Sequence, residues 1–221
     1  MPALESLFFS RVAPRARVLD LCCGSGHVTK ELTKRGYRVT GVDLSSALIQ
    51  KARENLPTVE FLVQDARTLH LNTQYDAVLS TFDSLNHMLT LEDLRDVFAR
   101  VRAHLKSNGL FVFDMNSEAA YFVDLRQWIG TVNNDDVGLV RGTYDALSKT
   151  ARTELLWFKK QQDTDLWTKN EGIVEQRCYT QTEIMTALFE SGFSNVEAVS
   201  AEDVGVTADL GFGRIFYTAR P

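Results

Sequence analysis

Three apolar runs of this chain carry an aspartate at or near their ends. Asp20 lies in Val18-Leu19-Asp20-Leu21, Asp43 closes Arg38-Val39-Thr40-Gly41-Val42, and Asp65 follows Glu60-Phe61-Leu62-Val63-Gln64. The small-residue turn Cys22-Cys23-Gly24-Ser25-Gly26 leads from the first run into the helix-like stretch Val28-Thr29-Lys30-Glu31-Leu32. Glycine has no Cβ and tolerates positive φ, so such a turn brings backbone close to a ligand. The helix beyond it offers unpaired N–H groups. One aspartate after a strand is an ordinary turn former or N-cap. Three in register with a Gly-x-Gly turn predict a shared binding edge, because the carboxyl ends of parallel strands face one side and ligands bind there. Asp83 and His87 fall just beyond a fourth run, Tyr75-Asp76-Ala77-Val78-Leu79-Ser80, at the same edge. Histidine is the natural base near neutral pH.

The elements that must position these groups alternate. Strands are predicted at 17–21, 38–43, 59–64, 75–80 and 110–114, the last ending in another aspartate, Asp114. Helices are predicted at 28–35, from Ser45 or Ser46 to Leu56, and at 91–105, where Leu91, Leu94, Phe98, Val101 and Leu105 share a face. Gly36 and Pro57 terminate the first two helices, and Asn108-Gly109 reads as a turn. A short helix or arm covers 4–12. This alternation implies a right-handed, doubly wound α/β sheet.

The rhythm then breaks. Residues 121–128 read as a helix, and 138–146, 152–160 and 167–179 as strands with polar turns between them. They form a small antiparallel insertion, within 116–180, in a single domain of 1–221. The α/β pattern resumes with a helix from Thr182, capped by Thr180 and closed by Gly192, and with strands at 195–200 and 214–219.

At 221 residues with a net charge of −5, the chain is long enough to bury a real core and gives no electrostatic case for nucleic acid. No apolar run is long enough to span a bilayer, and the first residues lack the features of a secretory signal, so a cytoplasmic protein is expected. Two adjacent cysteines and a remote third make neither a disulfide framework nor a zinc site. Cys22 and Cys23 read as small packing residues in a tight turn.

Taken together, the stretch from Arg17 to about Asp114 resembles the class I methyltransferases that use S-adenosylmethionine. Val18 to Gly26 looks like the family's nucleotide loop, Gly41-Val42-Asp43-Leu44-Ser45 like its second motif, Gln64-Asp65-Ala66-Arg67 like its third and Tyr75 to Ser80 like its fourth. Thr81-Phe82-Asp83-Ser84-Leu85-Asn86-His87 resembles a subgroup of small bacterial methyltransferases. The resemblance implies a Rossmann-like, seven-stranded, mostly parallel sheet with the last strand antiparallel. It also implies cofactor contacts at Asp20, Cys22, Gly24, Gly26, Asp43, Leu44, Asp65, Ala66, Thr81 and Phe82. Asp43 would bind the ribose hydroxyls, Asp65 the adenine amine, and Asp20 would orient the amino-acid tail. The family's first loop glycine is Cys22 here, so a negative φ is expected at that position. The chain also has very little before its first strand, where many relatives carry longer covering helices.

The implied reaction is in-line methyl transfer to a nitrogen or oxygen of a small-molecule acceptor, with no metal, by a monomer or homodimer. His87 either contacts substrate or hydrogen-bonds a loop; Asp83 assists the proton or caps the turn. Asn86 orients substrate or satisfies backbone, and Tyr179 walls the pocket or joins the core. Trp157 and Trp167 read as packing residues. Two other readings stand beside this one. A non-catalytic protein would keep the cofactor pocket for regulation or assembly. A nicotinamide oxidoreductase would need Gly-x-Gly-x-x-Gly, and here the third glycine position holds Thr29.

Overall fold

A computed structural model describes residues 2–121, 127–207 and 211–221. The N-terminus forms one short helical turn, α1 (Pro2–Leu4), that runs into a wider, π-helical turn at Glu5–Phe9, so the expected arm is helical from Leu4 to Phe9. The strands of the α/β part are β1 (Arg17–Leu21), β2 (Arg38–Asp43), β3 (Glu60–Val63), β4 (Tyr75–Ser80), β5 (Leu105–Asn116), β10 (Asn195–Ser200) and β11 (Arg214–Arg220). The principal helices are α2 (His27–Lys34), α3 (Ser46–Asn55), α4 (Leu91–His104) and α6 (Gln181–Glu190), with a short α5 (Glu118–Tyr121) after β5.

The large sheet has the order β10-β11-β5-β4-β1-β2-β3. All pairings are parallel except those of β11 with β5 and β10. β1 lies between β2 and β4, which explains why Val18, Leu19 and Leu21 are all fully buried: a central parallel strand is covered on both faces. The two faces divide by the two-residue period of a strand. Phe111 and Phe113 of β5 pack with Leu94, Phe98 and Ile184 of α4 and α6. Leu110 and Val112 pack with Leu4, Phe8 and Leu32 on the other side.

Local chemistry sets the helix starts. Ser45 Oγ accepts from Leu48 N–H, Thr90 Oγ1 accepts from Asp93 N–H, and Thr180 and Glu183 form a reciprocal capping box. The Asn108-Gly109 turn is corrected: those residues lie inside β5, where the pairing with β4 jumps from Tyr75–Leu105 to Ala77–Leu110. The turn chemistry is spent on a bulge within the strand.

The insertion forms a separate antiparallel sheet of four strands, β6 (Ile129–Val132), β7 (Asp136–Asp145), β8 (Thr150–Lys160) and β9 (Trp167–Arg177). Its first strand was not expected from the sequence. The helix expected at 121–128 falls mainly outside the described residues; the helical turn that is seen precedes it, at Glu118–Tyr121. Trp157 and Trp167, expected to pack, keep 45% and 42% of their surface in solvent.

Candidate active site

The loop after β1 is built around a carboxylate clasp. Gly24 N–H donates to Asp43 Oδ2 at 2.8 Å and Ser45 N–H donates to Asp43 Oδ1 at 2.9 Å. Asp43 therefore fixes the turn beyond its own strand and the turn beyond β1 together. Cys23 N–H donates to the Val42 carbonyl at 3.0 Å, which prolongs the β1–β2 register into the loop. Gly24 has φ +54°, and a Cβ there would meet no atom within 4 Å. The space it would enter is part of a cavity of about 890 Å³, walled by Asp20, Gly24, Asp43, Leu44, Thr81 and Phe82. Cys22 and His87 line the same cavity.

Gly26, with φ +83°, is the N-cap of α2. Gly41 owes its identity to packing: a Cβ there would sit 2.5 Å from the Phe61 ring.

Cys22 departs from expectation. Its φ is +59°, a left-handed conformation that costs a residue with a Cβ about 1–2 kcal/mol. The hydrogen bond of Cys23 to Val42 on one side and the β1 register on the other hold it there. Burial, with the nearby Asp43 and Asp20 charges, pushes the Cys22 thiol up to about 12, which makes it an unreactive packing group.

Asp20 is only 2% exposed and accepts a 2.5 Å hydrogen bond from Thr29 Oγ1 in the first turn of α2. Thr29 thus occupies the third fingerprint position with a side chain that serves Asp20. Burial raises the Asp20 carboxyl to about 7, against the lowering effect of Thr29. A desolvated carboxylate with one neutral donor is a place for a cation.

Asp65 is paired with its own neighbour. Arg67 Nε reaches both of its oxygens at 3.0 and 3.1 Å, Arg67 Nη2 donates to Oδ2 at 2.6 Å, and Arg67 N–H donates to Oδ1 at 2.9 Å. The Arg67 side chain, first among these, holds the Asp65 carboxyl below the usual range. Asp65 and Ala66 are not among the groups walling the cavity.

The segment after β4 is a strained corner. Phe82 and Asp83 have φ of +61° and +48°, uncommon for residues with side chains. Asp114, at the end of β5, holds them: its Oδ1 accepts from Phe82 N–H at 2.8 Å and its Oδ2 from Asp83 N–H at 2.9 Å. Arg214 of β11 pairs with Asp114 and, at 2.7 Å, with Asp83 Oδ1. Gln176 of β9 donates to Asp83 Oδ2 at 2.6 Å. Both Asp83 oxygens are engaged, so Asp83 braces the corner rather than handling a proton. Phe82 is left 69% exposed over the cavity.

Breaking a buried ion pair costs about 3–5 kcal/mol. Arg214 and Asp83 keep 17% and 19% of their side-chain surface in water, which screens part of that. Arg214→Met is therefore expected to lower unfolding stability by about 2–3 kcal/mol, read as a shift in the denaturant midpoint; an unchanged midpoint would show the pair to be idle.

His87 Nδ1 lies 3.3 Å from the Glu175 carbonyl. A carbonyl only accepts, so this contact puts the proton on Nδ1 and leaves the lone pair on Nε2, 3.5 Å from the Gln176 amide nitrogen. For two other residues the structure selects between the alternatives. Asn86 is fully buried, its amide spent on Asn116 and the Arg177 carbonyl at 2.8–3.1 Å, so it ties β9 to β5 and has no polar atom left for substrate. Tyr179 is 2% exposed, with its hydroxyl against the Met88 and Thr90 carbonyls, and belongs to the core. Arg214, Gln176 and Thr29 carry no sequence signal of their role; Asp114 had one, as a further acid ending a strand.

Fold and cavity together define a doubly wound α/β protein whose Gly-x-Gly loop lines a cavity at the carboxyl edge of the sheet. Residues 18–109 match the family model described as a methyltransferase domain. A protein of Geobacillus sp. (strain WCH70), named "Putative methyltransferase", is 29% identical over 92% of this chain and 84% of its own length. The dTDP-3-amino-3,4,6-trideoxy-alpha-D-glucopyranose N,N-dimethyltransferase of Streptomyces venezuelae is 30% identical, over 50% of this chain and 47% of that relative. The crystal structure of an S-adenosylmethionine-dependent methyltransferase from Clostridium acetobutylicum superposes with a TM-score of 0.84 at 21% identity, covering 99% of this chain and 89% of that one. The chain is thus similar to a methyltransferase domain over residues 18–109, and over nearly its whole length to a putative methyltransferase and to the fold of a solved S-adenosylmethionine-dependent methyltransferase. Among the described residues, no helix is long and apolar enough to cross a membrane.

Proposed function

We propose that the protein methylates a nitrogen or oxygen of a small-molecule acceptor, with His87 as the base. The observation that carries this reading is the Asp43 clasp. Two of the four acceptor positions of its carboxylate are used by Gly24 and Ser45, and two remain for the vicinal ribose hydroxyls of the cofactor. Gly24 supplies the surface a Cβ would block, and buried Asp20 faces the ammonium of the amino-acid tail. Leu44, Thr81 and Phe82 wall the adenosyl group. In this reading Asp65 reaches the adenine amine only by giving up an Arg67 contact.

S-adenosylmethionine supplies an electrophilic methyl: the acceptor lone pair bonds to that carbon as the carbon–sulfur bond breaks and its electron pair stays on sulfur. The chain's part is alignment, worth up to about 7–11 kcal/mol in favourable cases, and removal of the acceptor proton. His87 Nε2 takes that proton while Nδ1–H holds the Glu175 carbonyl. The likeness to an amino-sugar N,N-dimethyltransferase supports nitrogen as the nucleophile.

Calorimetry with S-adenosylhomocysteine tests the cofactor half. Asp43→Ala loses two hydrogen bonds to a charged group, together worth about 3–6 kcal/mol, so the dissociation constant is expected to rise about 10²–10⁴-fold. Parent-like affinity in this variant would overturn the assignment of the cavity.

A further inference from the structure

A second cavity, of about 230 Å³, is also lined by Phe82. It shares Val28, Thr81 and Phe82 with the cofactor cavity, so the two are neighbours at one exposed ring. Its other walls are apolar, with Leu4 from the N-terminal turn, Val206 from the loop after β10 and Phe216 of β11 among them. The exception is the Asp114–Arg214 pair. That cluster sets two carboxylates, Asp83 and Asp114, against one guanidinium and so carries an excess negative charge beside the cavity.

We propose that this cavity is the acceptor subsite and that it selects a compact amine with an alkyl or aryl body. The inference rests on the methyltransferase reading of the adjoining cavity. An apolar body enters between Leu4, Val206 and Phe216, and the amine remains at the mouth beside Phe82. There the exposed ring face attracts an ammonium, and the same ring borders the cavity that His87 lines. The negative excess of the Asp83–Asp114–Arg214 cluster favours a cationic acceptor and opposes a carboxylate one. Taking about 30 Å³ per water-sized group, the volume admits a body of about eight non-hydrogen atoms.

The experiment measures S-adenosylhomocysteine formation from n-alkylamines of two to ten carbons and from phenethylamine, with parent, Val206→Phe and Val206→Ala. Val206 is a partly buried loop residue, so both variants are expected to fold, and thermal melts check this. Each methylene buried is worth about 0.8 kcal/mol, so kcat/KM should climb about fourfold per carbon until the cavity is full and then fall. Val206→Phe should move the optimum to shorter amines and Val206→Ala to longer ones, with affinity for S-adenosylhomocysteine unchanged in both. A flat length dependence, an optimum that neither variant moves, or no turnover of any amine by protein that binds S-adenosylhomocysteine would overturn the proposal. Failure to bind S-adenosylhomocysteine at all would instead overturn the cofactor reading on which it stands.

Discussion

His87→Ala is expected to lower kcat by about 10²–10⁴-fold, the usual contribution of a positioned general base, while the dissociation constant of S-adenosylhomocysteine stays within twofold of the parent. The side chain is exposed and makes no backbone cap; its contacts are the Glu175 carbonyl and the Gln176 amide. Its removal leaves the Asp43 clasp and the Asp114–Arg214 brace in place, so the fold should melt as before. Imidazole added to the assay should restore part of the lost rate, which a purely structural histidine would not allow. Gln176→Ala gives the complementary result. It frees Asp83 Oδ2 and one neighbour of the imidazole, so acceptor turnover should fall without any rescue by imidazole. Weakened cofactor binding with no change in kcat would place His87 on the cofactor and sink its role as base.

Asp20 offers the second large effect, read as a pH dependence. Its carboxyl titrates near 7 in the folded chain because burial opposes its charge, against about 3.9 when unfolded. Between those values the native state holds the extra proton, so stability falls as pH rises from about 4 to about 7 and is level above that. At 1.36 kcal/mol per unit, the cost at pH 8 is about 4 kcal/mol. Asp20→Asn removes the charge and keeps an acceptor for Thr29. The cofactor-free variant should therefore be more stable than the parent at pH 8 by a few kcal/mol, and equal to it near pH 4. Binding shows the reverse side of the same balance. The ammonium of the amino-acid tail favours ionised Asp20, so parent affinity for S-adenosylhomocysteine should rise up to tenfold per unit as pH approaches 7, with a proton released on binding below that. Asp20→Asn should bind more weakly, without that pH dependence. Parallel melting curves for the two proteins from pH 5 to 8 would show that Asp20 is not desolvated as described.

Burial turns an acid that reads as one of three equals into a distinct group. Asp20, Asp43 and Asp65 look alike in the chain, each at a strand end before a turn. In the fold one is buried against a threonine, one clasps two loops, and one is held by an arginine two residues on. The last of these was open to reading, since Asp65-Ala66-Arg67 is local, and an i,i+2 carboxylate–guanidinium pair after a strand can close on itself. The first was not, because Thr29 reaches Asp20 only once α2 has packed back on β1.

The elements of the large sheet, by contrast, were legible because their signals are local. Central strands are apolar on both faces, and Ser45, Thr90 and Thr180 start helices by satisfying N–H groups three residues on. Periodicity and caps act over a few residues, so sequence alone determined the alternation of strands and helices, the Gly-x-Gly turn between β1 and α2, and the edge where the acids lie. Tertiary structure decided what those groups can do. The brace of the corner after β4 joins Asp83 and Asp114 to Arg214, 131 and 100 residues away, and Gln176 comes from a sheet whose first strand left no clear periodic signature. The left-handed conformation of Cys22 is likewise imposed by the strands around it, against its own preference. A charge takes its partner, and its pKa, from whatever the fold places beside it, and no spacing along the chain encodes that.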